Sequence, residues 1–274
     1  MLYLGKRRDH MEIRDPRIDG GKAFDWGRTS ADYARYRDIY PPVFYQKIAD
    51  KGYCRQGSRV LDLGTGTGVL PRNMYHYGAQ WVGTDISEEQ IIQAKALASA
   101  QQMDIQFQVG AAETLGFPDG SFDTVTACQC FWYFNHEKVL PALARMLKPR
   151  GTLIVLQMAW LPYEDKIAGQ SEALALEFNP GWTGAGETRK PVWIPEIAYA
   201  HFSLTDHEEY DLPVHFTRES WHGRMRACRG IGASLTPEEL ERWELAHRAM
   251  LERIAPEEFD ILHYAAYAIL QKRA

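Results

Sequence analysis

The segment Val60-Leu61-Asp62-Leu63-Gly64-Thr65-Gly66-Thr67-Gly68-Val69-Leu70 carries an apolar run straight into a turn with glycine at every second position, and then into a helix start. Side chains at Gly64, Gly66 and Gly68 would keep a ligand off the backbone, whereas glycine permits the tight turn and leaves amide groups exposed at a helix N-terminus. A second short apolar run, Trp81-Val82-Gly83-Thr84, ends in Asp85. An acidic residue about twenty positions beyond such a turn is placed to meet ribose hydroxyls in a mononucleotide-binding half. Turn and carboxylate together imply a nucleoside-bearing cofactor.

Strand and helix patterns alternate from there on. Ser87 followed by Gln90 has capping-box spacing, and Ile91, Ala94, Leu97 and Ala98 give the next helix one apolar face. Strand-like runs at residues 105–109, 124–128 and 152–158 flank a helix at 137–147, in which Val139, Leu143 and Met146 point inward. Alternation of this kind predicts a parallel sheet with helices on both faces, and ligands in such sheets occupy the crevice beyond the strand carboxyl ends.

The motifs resemble those of the class I S-adenosylmethionine-dependent methyltransferases, in particular the group with the ubiquinone and menaquinone methyltransferases and many small-molecule enzymes. Gly64-x-Gly66-x-Gly68 after Asp62 is similar to that pattern and unlike the G-x-G-x-x-G of NAD proteins. The run from Gly110 through Glu113 to Asp123 resembles the segment that passes the adenine. Arg145-Met146-Leu147-Lys148-Pro149-Arg150-Gly151 resembles the turn before the family's fifth strand, with Arg150 where the first of two glycines is usual. Remote from the ligand edge, Arg150 is expected to alter local backbone geometry only.

The resemblance implies an α/β, Rossmann-like, seven-stranded, mostly parallel sheet with helices on both faces. An N-terminal helical lid and a lid-like insertion after the fifth strand complete it. The expected divisions are a charged arm at 1–24, the helical lid at 25–50, the cofactor-binding core at 51–160, an aromatic-rich substrate lid at 161–206 and completion of the domain at 207–274. The helical pattern at Asp32–Tyr40 breaks at Pro41-Pro42 and resumes at Val43. Residues 209–214 suit a sixth strand, Thr236-Pro237-Glu238-Glu239 caps a helix reaching Ile254, and 259–272 suits the last strand.

For the cofactor, S-adenosylmethionine, the resemblance assigns Tyr36 and Arg37 of the lid to the methionine carboxylate, with Tyr33 behind them. Asp62 goes to the methionine amine and Gly64, Thr65 and Gly66 to the methionine and ribose portions. Asp85 takes the ribose hydroxyls, Ile86, Ala112 and Glu113 the adenine, and Gln129 the methionine moiety. Trp132, within Phe131-Trp132-Tyr133-Phe134, suits a wall near the methyl group, since aromatic faces favour a sulfonium and exclude water. Trp160 and Trp182 belong to the aromatic roof. Arg218, Trp221 and Arg229 can form a cluster gripping an acceptor carboxylate or phosphate, or be ordinary helix residues. His136, His222 and Tyr163 are candidates for a base, with helix capping the other role for His136, and no catalytic residue is assigned.

With 274 residues, 45% of them hydrophobic, and a net charge of -5, the chain can bury a substantial core and has no phosphate-tracking surface, which disfavours nucleic acid. Four sparse cysteines and nine histidines show no metal-ligand spacing, so no metal is expected. No run of apolar residues suits a signal or membrane span, so a cytoplasmic protein with no membrane partner is expected. A homodimer is left open, as is the role of the charged arm: flexible tail or contact with a partner subunit. The expected activity is methyl transfer to a small-molecule acceptor. The alternatives are an NAD-type oxidoreductase and a non-catalytic cofactor-binding protein.

Overall fold

The structure, a computed structural model, describes residues 3–7 and 10–273. Its chain divides into two compact units: a glycine-loop unit of Tyr40–Met158, Lys190–Tyr210 and the residues from 265 on, and an aromatic unit of the residues before 40, Ala159–Arg189 and Asp211–Tyr264.

In chain order the elements are β1 (Tyr3–Arg7), β2 (His10–Arg14), α1 (Ser30–Tyr36), α2 (Pro42–Asp50), β3 (Arg59–Leu63), α3 (Val69–Met74), β4 (Gln80–Asp85), α4 (Glu88–Ala100), β5 (Gln106–Val109) and β6 (Phe122–Cys128). They continue as α5 (His136–Met146), β7 (Leu147–Trp160), α6 (Lys166–Phe178), β8 (Phe202–Thr217), α7 (Arg218–Arg226), α8 (Pro237–Ile254) and β9 (Glu258–Lys272). Short 3-10 turns fill several connections.

Seven strands form one sheet in the order β5-β4-β3-β6-β7-β9-β8, and β1 pairs with β2 separately. The pairs β4–β5, β3–β4, β3–β6 and β6–β7 are parallel. The chain steps outward from β3 to β5, returns to β6 on the other side of β3, and so reverses strand order between β3 and β6. That reversal opens a crevice at the carboxyl ends of these two strands. The parallel part of the sheet is the one expected from the alternation of patterns, and its seven strands are the number that the family resemblance implied.

In the glycine-loop unit the core lies on α5, where Val139, Leu140, Leu143 and Met146 pack with Leu61, Leu63, Val125, Leu153 and Val155. Ile91, Ala94 and Ala98 of α4 close over Phe107. Ser87 caps α4 as the spacing predicts, its hydroxyl accepting from the Gln90 amide at 3.3 Å. Arg150 has φ +62°, the left-handed conformation that glycine adopts most readily, and β7 runs through it.

Three local expectations change. The helix begun at Ser30 ends at Tyr36 rather than Tyr40, and α2 starts at Pro42 with Pro41 extended before it. The sixth strand is much longer than 209–214. Its inward positions Leu212, Val214 and Phe216 are apolar, but Asp206 and Glu208, on the same alternate face, pair with Lys51 and Lys47, each at 2.6 Å. Ion-paired inward positions hide the alternation on which strand recognition depends. The aromatic insertion also contains α6, capped by Asp165, whose carboxylate accepts from Ile167 and Ala168. Its buried stripe of Ala168, Ser171, Glu172 and Ala175 has helical spacing, but two of the four are polar.

The charged arm is integrated from Ile13 onward; the side chains of residues 1–11 lie outside the described part of the structure. Ile13 and Phe24 pair through their backbones, and Phe24 is fully buried. Asp19 accepts from Arg229 Nε at 2.8 Å and Nη2 at 2.9 Å, and from the Thr183 amide and hydroxyl. Burial alone would raise the Asp19 carboxyl, yet the Arg229 guanidinium holds it below the usual carboxylate range. On the other side, α8 begins with the expected capping box, Thr236 with Glu239, and Pro237 in the first turn.

Removing one member of a buried ion pair strands the other charge, typically at a cost of about 3–5 kcal/mol. Asp19→Ala is therefore expected to lower stability by that order in urea denaturation. A double variant Asp19→Ala/Arg229→Met is expected to recover much of the loss, because no unpaired guanidinium remains buried.

Candidate functional site

β3 delivers Asp62 to the sheet's carboxyl edge, 1% exposed, with its Oδ1 accepting from the Thr126 hydroxyl of β6 at 2.7 Å. Burial pushes its carboxyl up to about 7, against the stabilising hydrogen bond of Thr126 and with a further upward push from Asp85. Gly64 and Gly66 both take φ +56°. The Thr65 amide donates to Thr84 O at 2.9 Å, and the Gly66 amide donates to Asp85 Oδ2 at 2.9 Å.

Asp85 ends β4 half-buried, and its other oxygen accepts from the Ser87 amide at 2.9 Å. Burial raises its carboxyl while the Ser87 and Gly66 amides oppose that shift. One carboxylate thus joins the glycine turn to the start of α4. Ile86 follows it, half-buried.

The glycines serve different purposes. At Gly64 a Cβ would come within 2.8 Å of Cys130 Cβ, and at Gly68 within 2.7 Å of the Phe107 ring. At Gly66 the nearest atom is Gln90 Oε1 at 3.9 Å. Two of the three glycines therefore admit protein side chains, contrary to the expectation that all three clear a ligand's path. Gly66 alone keeps its outer face open.

Across the crevice, Gln129 follows β6 with φ +61°, its amide donating to Leu156 O at 2.9 Å and its side-chain nitrogen donating to Met158 O. A non-glycine residue in this region is strained, and the two bonds hold it there. Cys130 Sγ donates to Leu63 O at 3.0 Å. Ala112 is buried in a 3-10 turn, and Glu113 Oε1 accepts from the Asn135 amide at 2.9 Å. Glu113 thus restrains the loop before α5. Trp132, in that loop, is 38% exposed.

The structure accordingly brings Asp62, Gly64, Thr65, Gly66, Asp85, Ile86, Ala112, Glu113, Gln129 and Trp132 into the glycine-loop unit, around the end of β3 and the loops beside it. Sequence reasoning missed Gly83, Thr126 and the contact of Cys130 with Gly64. A Cβ on Gly83 would fall 2.7 Å from the Phe107 ring and 2.8 Å from the Thr65 hydroxyl. A glycine inside a strand is the signal of such close approach.

The other expected residues lie in the aromatic unit. Tyr36 donates to Glu219 Oε1 at 3.0 Å, and its ring occupies the space where a Gly223 Cβ would stand. Arg37 lies 4.7 Å from the Tyr33 ring centre. Trp160 donates to Glu172 Oε2 at 2.8 Å and Trp221 to Ser171 Oγ at 2.9 Å. Trp182 is buried against Gly184 and Gly230. Arg218 donates to the carbonyls of Ala255 and Pro256. Arg229 is the partner of Asp19.

Among the base candidates, His136 opens α5 and contacts Phe131 O through Nε2 at 3.0 Å, while Tyr163 is 76% exposed. Asn135, not His136, holds the cap position of α5. Burial pushes His222 down to about 4. Among the described residues all four cysteines are free, no group of side chains could hold a metal, and no helix is long and apolar enough to cross a membrane.

Residues 61–155 match the family described as a methyltransferase domain. The chain is 40% identical over 115 residues to a demethylmenaquinone methyltransferase of Thermus thermophilus, covering 41% of this chain and 52% of that one. It is 33% identical over 170 residues to the uncharacterized methyltransferase YcgJ of Bacillus subtilis, covering 61% and 65%. The matches thus span between half and two thirds of these relatives. The crystal structure of YcgJ superposes with a TM-score of 0.52 at 22% identity, over 85% of this chain and 99% of that one, a likeness of fold. The likeness over residues 61–155 is to a methyltransferase domain, and nothing in these matches supports an oxidoreductase.

Gly64→Ala combines the left-handed φ with overlap onto Cys130 and is expected to cost about 1–3 kcal/mol, the usual range for overpacking. Adding Cys130→Ala should return the overlap part and leave the backbone strain. Urea denaturation of the two variants checks the difference.

Proposed function

We propose that this protein transfers a methyl group from S-adenosylmethionine to a small-molecule acceptor, in keeping with the general use of that cofactor by class I methyltransferases. The observation that carries the reading is the Asp85 carboxylate bonded across the turn to the Gly66 amide, beside the open face of Gly66. The residues present fit the group. Asp85 has lone pairs left for ribose hydroxyls, since a carboxylate offers about four acceptor sites and the two amides use two. Asp62 lies at the end of β3 as a carboxyl that a neighbouring ammonium would ionise. Ile86 and Ala112 offer apolar surface to a base, with Glu113 at its edge, and Gln129 and the turn at Gly64, Thr65 and Gly66 border the remainder.

Bound there, the cofactor supplies an electrophilic methyl on a sulfonium, and the protein's work is alignment and exclusion of water. Trp132 contributes an aromatic face suited to positive charge. The lid residues Tyr36 and Arg37 belong to the same proposal as residues for the methionine carboxylate. Trp160, Trp182, Arg218, Trp221 and Arg229 remain its acceptor-side candidates. A small acceptor is favoured by the net charge of -5, which offers nucleic acid no attraction. Location in the cytoplasm is part of this reading.

Calorimetry with S-adenosylhomocysteine and with NAD tests the proposal directly: binding of the first is expected, and tight binding of NAD instead would overturn it. Asp85→Ala should weaken S-adenosylhomocysteine by about 1.5–3 kcal/mol, the range of hydrogen bonds to a charged group. An unchanged affinity in a folded variant would remove Asp85 from the site.

Asp62 sets a pH dependence. Its folded value, about 7, lies above the ordinary carboxyl value, so its contribution to stability without ligand is complete near pH 4 and lost as pH rises to 7. Binding of a cationic ammonium favours the ionised form. Affinity for S-adenosylhomocysteine is therefore expected to rise with pH up to about 7, with proton release below it. Calorimetry in buffers of different ionisation enthalpy measures that release, and Asp62→Asn should abolish it.

A further inference from the structure

We infer that His136 is a positioning residue for methyl transfer: by donating from Nε2 to the Phe131 carbonyl it sets the direction in which the Trp132 ring leaves its turn. That the ring then faces a sulfonium rests on the proposed function. The clamp itself rests on geometry within the glycine-loop unit.

Trp132 lies in a 3-10 turn, Phe131–Tyr133, between Gln129 in the left-handed region and the start of α5. The two phenylalanines that flank Trp132 and Tyr133 are buried in the core, their ring centres 6.2 Å apart. Trp132 itself is partly exposed. Buried rings at its ends fix where the turn sits but leave open the tilt of the peptide planes between them. The Phe131 carbonyl belongs to the planar unit that joins Phe131 to Trp132, so the direction of that C=O governs the direction in which the Trp132 side chain projects. Within the turn this carbonyl accepts the Phe134 amide at a long 3.3 Å. His136 reaches back five positions and supplies a second donor at 3.0 Å.

A carbonyl oxygen has no hydrogen to give, so Nε2 of His136 carries one and donates it. That nitrogen therefore takes no proton from an acceptor, and a base role for His136 through Nε2 is set aside. The imidazole is held in turn by rings: the Phe131 centre is 4.8 Å away, and Trp193 meets it edge-on at 5.3 Å. Trp193 is 58% exposed, yet Val192 and Ile194 on either side of it pack against the core. An anchored stretch of chain thus brings the indole to His136.

The neighbouring residue carries a different clamp. Asn135 caps α5 by position without a side-chain bond, and its amide donates to Glu113 Oε1 at 2.9 Å. Glu113 fixes where α5 begins, whereas His136 fixes the peptide that leads into Trp132. Direction matters because an aromatic ring attracts a cation only when the charge lies over its face, within about 6 Å of the centre. A neutral thioether gains no such attraction. A correctly turned Trp132 therefore favours S-adenosylmethionine over S-adenosylhomocysteine, while a merely structural His136 would affect the two ligands alike.

The test titrates both compounds into the full chain by calorimetry. His136→Phe keeps a ring without a donor, His136→Gln can place an amide nitrogen about where Nε2 stands, and His136→Asn is too short to do so. The ratio of S-adenosylmethionine to S-adenosylhomocysteine affinity is expected to fall about two- to fivefold in the Phe and Asn variants, the worth of a cation over a partly exposed ring, and to return in the Gln variant. In a Trp132→Leu background His136→Phe should change the ratio no further, because its effect passes through the indole. Equal weakening of both ligands, failure of glutamine to restore the ratio, or a further fall without the indole would each overturn the inference. Where His136→Phe does not fold, the Gln and Asn variants decide. A second readout needs no ligand: in protein labelled with 5-fluorotryptophan, the Trp132 fluorine resonance, assigned by its loss in Trp132→Leu, should move in His136→Asn and return in His136→Gln. An unmoved resonance defeats the clamp alone. Failure of S-adenosylhomocysteine to bind the unaltered protein defeats the proposed cofactor, and the fluorine result still decides whether His136 sets the indole.

Discussion

The hydrogen bond from the Gly66 amide to the Asp85 carboxylate fixes the local geometry on which the cofactor crevice depends. It ties a loop that cannot hold itself, because alternate glycines leave a backbone with few preferred conformations, to a rigid strand end. The same carboxylate takes the Ser87 amide and so orients α4. Around this bond the missing side chains become positive features. Gly64 admits Cys130, Gly68 and Gly83 admit Phe107, and the loop is pressed between β4 and the segment after β6. Close packing without voids resists deformation, so the crevice is shaped before any ligand arrives.

Burial of two carboxyls at one strand edge is the electrostatic counterpart. Burial raises both carboxyls, Asp85 pushes Asp62 further the same way, and neither has a cation among the causes of its shift. A fold organised only for stability would gain by replacing such groups with apolar ones of similar volume. Their cost is sensible if the cleft receives a ligand carrying positive charge and hydroxyl donors. The aromatic unit shows the opposite economy, since its buried Asp19 and Arg229 satisfy each other and join the arm to the turn after α7 and the segment after α6.

Much of the fold was legible because its signals are local. The strand-turn-helix at residues 60–70, the cap at Ser87, the box at Thr236 and the apolar face of α5 depend on neighbours in sequence, and each stands where the pattern put it. The failures share another cause. β8 was read too short because Asp206 and Glu208 face inward to lysines about 160 residues earlier, and α6 was missed because Ser171 and Glu172 are buried by partnership with Trp221 and Trp160. Long-range pairing turns polar residues into core residues without any mark in the local sequence. The charged arm is a third instance, since Asp19 reads as solvent-facing until Arg229 is known.

The site divides along the same line. Asp85 and Gly66 follow from spacing, whereas Glu113 does not: its carboxylate reaches Asn135, 22 positions away, and steadies the loop that presents Trp132. Tyr36 is similar, its hydroxyl being engaged by Glu219 and its ring by the space above Gly223. A side chain anchored in this way has given up conformational freedom before binding, so any ligand contact it makes costs less ordering entropy. Anchoring and ligand contact are therefore compatible for a residue with polar capacity to spare. They compete where all donors are directed into the protein, as with the Arg218 nitrogens on the Ala255 and Pro256 carbonyls. His136 belongs with Arg218 at Nε2, whose hydrogen is spent on the Phe131 carbonyl. Residual capacity, more than residue type, separates a recognising group from a supporting one.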